Sequence, residues 1–407
     1  MKALLFGVDP KVDPSTLPDD LDPSLRALAL TPQAERDLPD PQLLGPDWMV
    51  VRTAMTGICG SDTKQVLMDG DADSPMTAII SFPQVLGHEM IGTVVEAGPE
   101  AGHREGDRIV LNPWLSCGPR GITPECASCT VGDYNMCWNF DRGRLQPGIH
   151  SGNSSSATGG FAELVPVHKV MAIPCPDDVP DEVAVLADPF SVSLHSVLRN
   201  PPPPGGRALV YGIGALGTTT VAILAALYPD VRVAAVARHP HQAAIAERHG
   251  AQAFAHEPRE DLVAALADWS EARLQKPWQG LPWTYPGGVD VVYDTVATWE
   301  SLEVDVRVTT PRGRVVITGV ASPARFEWSP WYFKELTLVG SNAFGVENLE
   351  GVRRHAIAHY LELARTGRID VAHMLTHTFR LGDWREAFRT LALAADTGAL
   401  KVAFDFR

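Results

Sequence analysis

The stretch Leu209-Val-Tyr-Gly-Ile-Gly-Ala-Leu-Gly217 decides the fold of this chain. An apolar run that begins at Ala208 leads into three closely spaced glycines, and a segment rich in Ala, Ile and Leu follows them. This order predicts a buried strand, a tight glycine turn and a helix. The G-x-G-x-x-G spacing suits a dinucleotide, because the first glycine permits the turn, the second lets the backbone approach the pyrophosphate and the third packs the helix on the strand. The predicted cofactor-binding residues of this turn are Gly212, Ile213, Gly214, Ala215, Leu216 and Gly217.

The rhythm of the chain changes at this turn. Beyond it, apolar runs alternate with helical segments, which is typical of a doubly wound parallel sheet. The runs lie at 231–237, 289–293, 314–318 and 336–340. Before the turn, short strands broken by glycines predict a small domain that resembles a β-barrel. In the tail we expect a helix over 352–365 and a final strand over 401–406.

The length and charge of the chain limit what it can be. Its 407 residues are too many for one hydrophobic core, so we expect two domains. The net charge of −15 argues against nucleic-acid partners and against anionic membranes. We find no apolar run of roughly 18 to 20 residues, and the N-terminus lacks the apolar core of a signal peptide. We therefore expect a cytoplasmic protein with reduced thiols, in which clustered cysteines suggest a metal.

Four cysteines lie within one Gly-, Pro- and Ser-rich loop. They are Cys117, Cys126, Cys129 and Cys137. Reduced cysteines are commonly small buried apolar residues, but this loop offers little core in which to bury them. Four thiolates at this spacing suit a tetrahedral structural zinc that staples the loop.

A second group of possible metal ligands comes earlier. Cys59, His88 and Glu89 each follow or enter a glycine-bounded turn at a strand end. Taken singly they could be a core thiol, a turn histidine and a surface acid. A catalytic zinc needs about three protein ligands and one open position, which these three residue types could supply.

Several motifs together resemble the zinc-dependent medium-chain alcohol dehydrogenase family, in particular its polyol and threonine dehydrogenase branch. They are Gly57-Ile-Cys-Gly-Ser-Asp62, Gly87-His-Glu89, Gly106-Asp-Arg108, the four-cysteine loop, Gly160-Phe-Ala-Glu163 and Gly212-Ile-Gly-Ala-Leu-Gly217. The resemblance implies an α/β fold with a GroES-like β-barrel catalytic domain, residues 1–190 and 344–407. It implies a Rossmann domain with a doubly wound parallel sheet over residues 191–343.

The resemblance also implies the site residues. In the family pattern Cys59 and His88 are zinc ligands, with Glu89 adjoining. A further carboxylate comes from a motif that here reads Asp188-Pro-Phe-Ser191, with Asp where the family has Glu. Whether Glu89 or Asp188 binds the metal at rest stays open.

The implied reaction is the reversible oxidation of an alcohol, a secondary alcohol or a polyol, to a ketone or aldehyde. A zinc ion acts as the Lewis acid and a nicotinamide accepts the hydride. Ser61 would take the alcohol proton, and Lys64 stands where the family often has a histidine that ends a proton relay. Asp62 is expected to orient a ligand.

The end of the second strand of the parallel sheet bears on the choice of cofactor. Ala237 occupies the place of the acid that would hold the ribose 2′-hydroxyl of NAD, and Arg238 and His239 follow it. A basic side chain can pair with a 2′-phosphate, so we favour NADP over NAD. The alternative is that Arg238 stacks on the adenine or faces solvent. Gly319 and Val320 resemble the backbone that faces the nicotinamide ring.

Two other functions remain possible at this point. One is a zinc-free quinone or enoyl reductase of the same fold, and the other is a non-catalytic nucleotide-binding protein. Candidate substrate-pocket residues are Trp114, Trp138, Phe344 and the loop 140–158. The resemblance implies a small-molecule partner and a homo-oligomer, a dimer or a tetramer.

Overall fold

The computed structural model describes residues 1–8, 12–70, 74–320 and 325–407. The chain forms two compact units. The first comprises 1–189, 345–367 and 372–407, and the second comprises 190–344 and 368–371. None of the helices in the described part of the chain has both the length and the apolar character needed to cross a membrane.

The strands are numbered in chain order. They are β1 (Lys2–Phe6), β2 (Gln33–Asp37), β3 (Trp48–Gly57), β4 (Gln84–Val85), β5 (Glu89–Ala97), β6 (Arg108–Leu111), β7 (Leu164–His168), β8 (Ala172–Pro174), β9 (Arg207–Tyr211), β10 (Arg232–Ala237), β11 (Gln252–Ala255), β12 (Leu274–Gln275), β13 (Trp283–Thr284), β14 (Val289–Asp294), β15 (Thr309–Ile317), β16 (Thr337–Gly340), β17 (Val346–Leu349), β18 (Val352–His355), β19 (Leu375–Phe379) and β20 (Lys401–Asp405).

The α-helices follow the same convention. They are α1 (Pro23–Leu30), α2 (Gly60–Val66), α3 (Ala127–Thr130), α4 (Asp181–Ala184), α5 (Ala187–Arg199), α6 (Ala215–Leu227), α7 (Pro240–Arg248), α8 (Arg259–Trp269), α9 (Trp299–Val308), α10 (Ser329–Phe333), α11 (Ala356–Arg365), α12 (Trp384–Ala392) and α13 (Ala394–Thr397).

The second unit is built on a six-stranded parallel sheet in the order β11-β10-β9-β14-β15-β16. The strand that enters the glycine turn, β9, lies beside both β10 and β14, so the strand order reverses there. This is the doubly wound arrangement predicted from the sequence, and the prediction is confirmed. The apolar runs form its strands because they are buried on both faces: Leu209 and Val210 are adjacent on β9, so their side chains point to opposite faces, and both are fully buried.

The first unit is a largely antiparallel β-structure. Its seven-stranded sheet has the order β19-β20-β3-β5-β6-β8, with β7 added on β3, and a three-stranded sheet has the order β2-β1-β4. The C-terminal strand β20 pairs antiparallel with β3, so that Ala403 lies opposite Gly57. One core packs the aromatic side chains of Phe161, Phe388 and Phe404 together. The tail is thus part of this unit's core.

The predicted helix over 352–365 is wrong in its first turn. Residues Val352–His355 form β18, which pairs in a hairpin with β17, and the helix begins at Ala356. His355 caps the helix, because its Nδ1 accepts a hydrogen bond from the Ile357 N–H at 3.3 Å. Glu350 and Gly351 have positive φ angles, which suit the two-residue hairpin turn before the helix.

Candidate active site

Three possible metal ligands converge in the first unit. Cys59, His88 and Glu89 each offer one ligand atom, and these atoms lie within 4.8 Å of one another. The pairing of β3 with β5 brings them together, since Gly57 lies opposite Glu89 in the sheet. A side chain at Gly57 would collide with the Glu89 carboxylate. The strand ends therefore hold the thiol, the imidazole and the carboxylate in one place.

Asp62 lies directly behind two of these ligands. It is buried, and its Oδ2 accepts a hydrogen bond from the Cys59 N–H at 2.9 Å. Its Oδ1 lies 3.6 Å from His88 Nδ1. Burial by itself would lower the pKa of His88, but the Asp62 carboxylate and the Cys59 thiol raise it well above its ordinary value. Asp62 is thus placed to orient the imidazole.

Lys401, on β20, is a member of the cluster that the sequence did not point to. Its Nζ donates to Glu89 Oε1 at 2.5 Å and to the Ile58 carbonyl at 3.1 Å. Lys401 and Glu89 are 3% and 1% exposed, so each depends on the other for charge compensation. Burial opposes the charge on Lys401, but Glu89 and Cys59 raise its pKa. A lysine directly before the apolar run Val402 to Phe404 of the final strand was the available signal.

The remaining predicted catalytic residues lie near the cluster but outside it. Asp188 is buried on α5 and is not among the three clustered ligands. Its Oδ2 has no hydrogen-bond partner within the described chain. Burial raises the pKa of Asp188 to about 7. Ser61 and Lys64 lie on α2 with exposed side chains.

These residues fit a divalent cation. Acidic groups outnumber Lys401 around His88, and burial raises the pKa values of both Asp62 and Asp188. A cation would relieve this excess of buried acid. Thiolate, imidazole and carboxylate together are ligands that zinc accepts, and three of them leave a position open.

His150 adds an imidazole that the sequence reasoning did not single out within the loop 140–158. Its ring lies 4.5 Å from the His88 ring and 6.0 Å from the Trp114 ring, between centroids. Its Nδ1 lies 2.7 Å from the Ser151 carbonyl oxygen. Burial and the neighbouring His88 lower the pKa of His150 to about 3. Trp114 was named as a candidate pocket residue, and the structure places it beside this ring.

The four-cysteine loop forms a separate cluster of the first unit. The four sulfur atoms lie within 4.8 Å of one another, and Cys117 Sγ is 3.7 Å from Cys137 Sγ. Backbone N–H groups point at the sulfurs: Cys126 N–H donates to Cys117 at 3.3 Å and Asn139 N–H donates to Cys137 at 3.4 Å. Hydrogen bonding from Cys129 lowers the pKa of Cys137 to about 6. Four sulfurs with N–H donors suit a closed tetrahedral zinc site.

The segment between Cys117 and Cys126 contains an arginine that holds neighbouring backbone in place. Arg120 is 1% exposed and donates to five backbone carbonyl oxygens. They belong to Leu115, Arg142, Leu145, Gln146 and Gly148. Four of these five carbonyls lie on the segment that leads to His150, so Arg120 fixes that segment.

The glycine turn of the second unit has the geometry that its spacing predicts. Gly212 has a φ of +86°, and a side chain at Gly217 would collide with the Gly212 carbonyl. A Cβ on Gly214 would meet nothing within 4 Å. Gly214, which directly precedes α6, therefore borders open space, as a phosphate at a helix N-terminus requires. Ile213 is buried, and Ala215 and Leu216 begin the helix.

Basic side chains gather at the ends of β10 and β11 in the same unit. Ala237 is buried at the end of β10, and Arg238 is exposed after it. The rings of His239 and His241 stack at 5.5 Å. Burial, and then the charges of Arg238, His241 and His256, lower the pKa of His239. His241 and His256 were missed in the sequence, because only the parallel pairing of β10 with β11 brings position 256 to this edge.

The other predicted cofactor residues also lie in the second unit. Gly319 follows β15, and a side chain there would collide with Val296. Val320 is 78% exposed. The buried Phe344 belongs to this unit, whereas Trp138 is exposed in the four-cysteine loop.

Comparisons with known proteins agree with this geometry. Residues 45–177 match the family model described as alcohol dehydrogenase GroES-like domain, and residues 215–358 match the model described as zinc-binding dehydrogenase. These two segments cover most of the chain.

Relatives match along nearly the whole length of the chain. An L-idonate 5-dehydrogenase of Vitis vinifera is 28% identical, over 89% of this chain and 89% of its own. The (R,R)-butanediol dehydrogenase of Saccharomyces cerevisiae is 27% identical, over 90% of this chain and 94% of its own. A protein of Sinorhizobium meliloti 1021, solved with NADP bound, is 28% identical with a TM-score of 0.68 and covers 92% of this chain and 95% of its own.

Proposed function

The chain belongs to the zinc-dependent medium-chain alcohol dehydrogenase family, and we propose that it interconverts secondary alcohols or polyols and their carbonyl compounds with NADP. The predicted family, fold class and NAD(P)-dependent alcohol dehydrogenase activity are confirmed. A zinc-free reductase and a non-catalytic binding protein are therefore disfavoured. The observation that supports the site most strongly is the convergence of Cys59, His88 and Glu89 at the ends of β3 and β5.

In the proposed mechanism Cys59 and His88 hold a catalytic zinc, and Glu89 or Asp188 supplies the third ligand. When bound, zinc supplies the Lewis acidity that lowers the pKa of an alcohol substrate, and the nicotinamide supplies the hydride chemistry. Asp62 holds the Cys59 backbone and faces the His88 ring.

Proton handling is assigned to the exposed start of α2. Ser61 takes the alcohol proton on its hydroxyl oxygen and releases its own hydroxyl proton towards the cofactor ribose, and Lys64, one turn further on, stands where this relay reaches solvent. Lys401 compensates Glu89 and determines how readily that carboxylate can turn towards a metal.

The experiment that tests this function is a panel of secondary alcohols, polyols and ketones against both cofactors, on enzyme of measured zinc content. We expect turnover with secondary alcohols or polyols that disappears in Cys59→Ser. Turnover that persists in zinc-free enzyme would overturn the metal role.

NADP is proposed over NAD because no acid follows β10 and four basic side chains gather at the ends of β10 and β11. These are Arg238, His239, His241 and His256. A charge-assisted hydrogen bond from Arg238 suits a 2′-phosphate, and the imidazoles offer further donors. The NADP-bound relative from Sinorhizobium meliloti supports this choice. A higher kcat/KM with NAD than with NADP would show it to be wrong.

A second zinc is proposed at the four-cysteine cluster, with a structural role. Two zinc ions per chain are expected by elemental analysis. A cytoplasmic location is proposed as well, because zinc binding by these cysteines requires thiols that stay reduced.

The domain boundaries and the assembly are also proposals. Residues 1–190 with 344–407, and 191–343, are proposed as the catalytic and the nucleotide-binding domain, and they differ little from the two compact units. A homo-oligomer is supported by exposed aromatic residues on α10, where Tyr332 and Phe333 are 73% and 67% exposed. Light scattering of the purified protein tests the oligomer.

A further inference from the structure

His150 is held in position by its backbone. The segment that contains it runs antiparallel to the segment around Trp114, where Leu115 N–H donates to the Ile149 carbonyl at 2.9 Å and Ser151 N–H donates to the Pro113 carbonyl at 2.8 Å. His150 N–H itself donates to Asn153 Oδ1 at 3.0 Å. The imidazole therefore occupies a defined place beside the His88 ring.

The hydrogen bond at Nδ1 of His150 determines whether the other ring nitrogen, Nε2, donates or accepts a hydrogen bond. A carbonyl oxygen can only accept, so the Nδ1 that lies 2.7 Å from the Ser151 oxygen must carry the hydrogen. In the neutral imidazole the other nitrogen, Nε2, then carries a lone pair and accepts. No residue in the described part of the chain forms a hydrogen bond with Nε2, and the side chain is only partly buried.

We propose that Nε2 of His150 accepts a hydrogen bond from a second hydroxyl of the substrate and so selects vicinal diols and polyols over simple alcohols. This inference rests on the proposed function, in which the reacting hydroxyl is held at the Cys59, His88 and Glu89 cluster. The two imidazole rings are in contact at 4.5 Å. A hydroxyl held at the cluster and one held by His150 must therefore lie close together, which favours hydroxyls on adjacent carbons.

The ring environment supports a role in binding. Trp114 lies edge-on to His150 and gives the carbon skeleton an apolar surface. Arg120 fixes the preceding segment through the Gly148 carbonyl. A built acceptor loses its partner when a substrate lacks the hydroxyl, and such a site discriminates strongly.

The test uses matched substrates on the zinc-loaded enzyme. Butane-2,3-diol, 3-methoxybutan-2-ol and butan-2-ol share a reacting carbinol, but only the diol has a second hydroxyl that can donate. We expect kcat/KM for the diol to exceed that for the methyl ether by about tenfold or more. Equal values for these two substrates would overturn the role of His150 while leaving the proposed function intact.

Variants then assign the discrimination to one residue. His150→Phe keeps an aromatic ring and removes the acceptor, and the diol-to-butanol ratio of kcat/KM should fall about ten- to hundredfold. His150→Gln restores an acceptor near the Nε2 position and should recover part of the ratio. His103→Phe makes the same change outside the site, at a histidine paired with Asp107, and should leave the ratio as in the wild type. If His150→Phe lowers kcat/KM for all three substrates equally, the proposal is overturned. His150 would then position the metal-ligand side chains and would not bind the second hydroxyl of the substrate.

A binding measurement provides a readout that does not depend on turnover. With NADPH bound the diol forms a dead-end complex, so calorimetry reports its Kd directly. The Kd should rise about tenfold or more in His150→Phe. Equal Kd values in the two proteins would refute the proposal, and absence of diol binding by either would refute the proposed substrate class as well. Zinc content is measured on every variant, because a loss of bound zinc must be distinguished from a loss of substrate binding.

Discussion

Lys401 provides a test of how the cluster of Cys59, His88 and Glu89 is stabilised. Replacing Lys401 with Met keeps most of the side-chain length and removes the charge that compensates Glu89. The Ile58 carbonyl also loses its donor. Because Glu89 is 1% exposed, its carboxylate must then stay ionised without a partner or take up a proton.

The expected cost follows from this burial. Removing one partner of a buried ion pair destabilises a protein by about 3–5 kcal/mol, since the other charge remains uncompensated. Replacing both partners by neutral groups costs much less, because no uncompensated charge stays buried. Adding Glu89→Gln to Lys401→Met should therefore recover a large part of the lost free energy of unfolding. The double-mutant cycle should yield a coupling of about 2 kcal/mol or more.

Urea unfolding of the metal-free proteins measures the free energies, and zinc content with kcat measures the function. In Lys401→Met the freed Glu89 carboxylate can turn towards the metal, so we expect slower zinc loss to a chelator and a lower kcat. The reasoning is refuted if the single and the double variant have the same stability, because Lys401 would then not act through Glu89.

Three further predictions concern other parts of the chain. Cys129→Ser should remove about one zinc per chain and lower the melting temperature by several degrees. Cys175→Ser changes a buried cysteine outside both clusters and should leave the zinc content at two. Equal zinc loss in both variants would contradict a four-cysteine site. Arg238→Ala should lower kcat/KM with NADP by about tenfold or more and affect NAD far less; a parallel loss with both cofactors would mean that Arg238 does not contact the 2′-phosphate. Burial lowers the pKa of Lys334 from 10.5 to about 7, and its Nζ donates to the Arg307 and Thr309 carbonyls. Between these pH values the unfolded chain binds a proton that the folded chain does not, so stability should rise with pH across this window, and urea unfolding of Lys334→Met should show a smaller rise. An unchanged pH slope in that variant would mean that Lys334 stays charged when folded.

Much of the second unit was predictable because its signals are local. Gly212 has a positive φ, and a side chain at Gly217 would collide with the Gly212 carbonyl, so both requirements arise within a few residues. Buried parallel strands read as apolar runs because both faces are covered. The four cysteines are similarly close in sequence, so their spacing alone predicted one cluster.

The cluster of possible metal ligands in the first unit was predictable only in part. Cys59, His88 and Glu89 were found through motifs, and the pairing of Gly57 with Glu89 explains why the motifs lie together. Asp188 was predicted as a possible ligand on the same basis, but the structure places its carboxylate outside the clustered trio. A motif gives the residue type, whereas the reach of a shorter side chain depends on backbone placement.

What the sequence alone determined is the family and its kind of chemistry, through a dinucleotide turn, and it predicted a zinc-type ligand set and one cluster of four cysteines. Only the tertiary structure decided which side chains complete the sites. Lys401 meets Glu89 across 312 residues, and the rings of His150 and His88 lie 4.5 Å apart although 62 positions separate them. No local pattern encodes such contacts, because they arise when β20 pairs with β3 and when the loop around His150 pairs with the segment around Trp114.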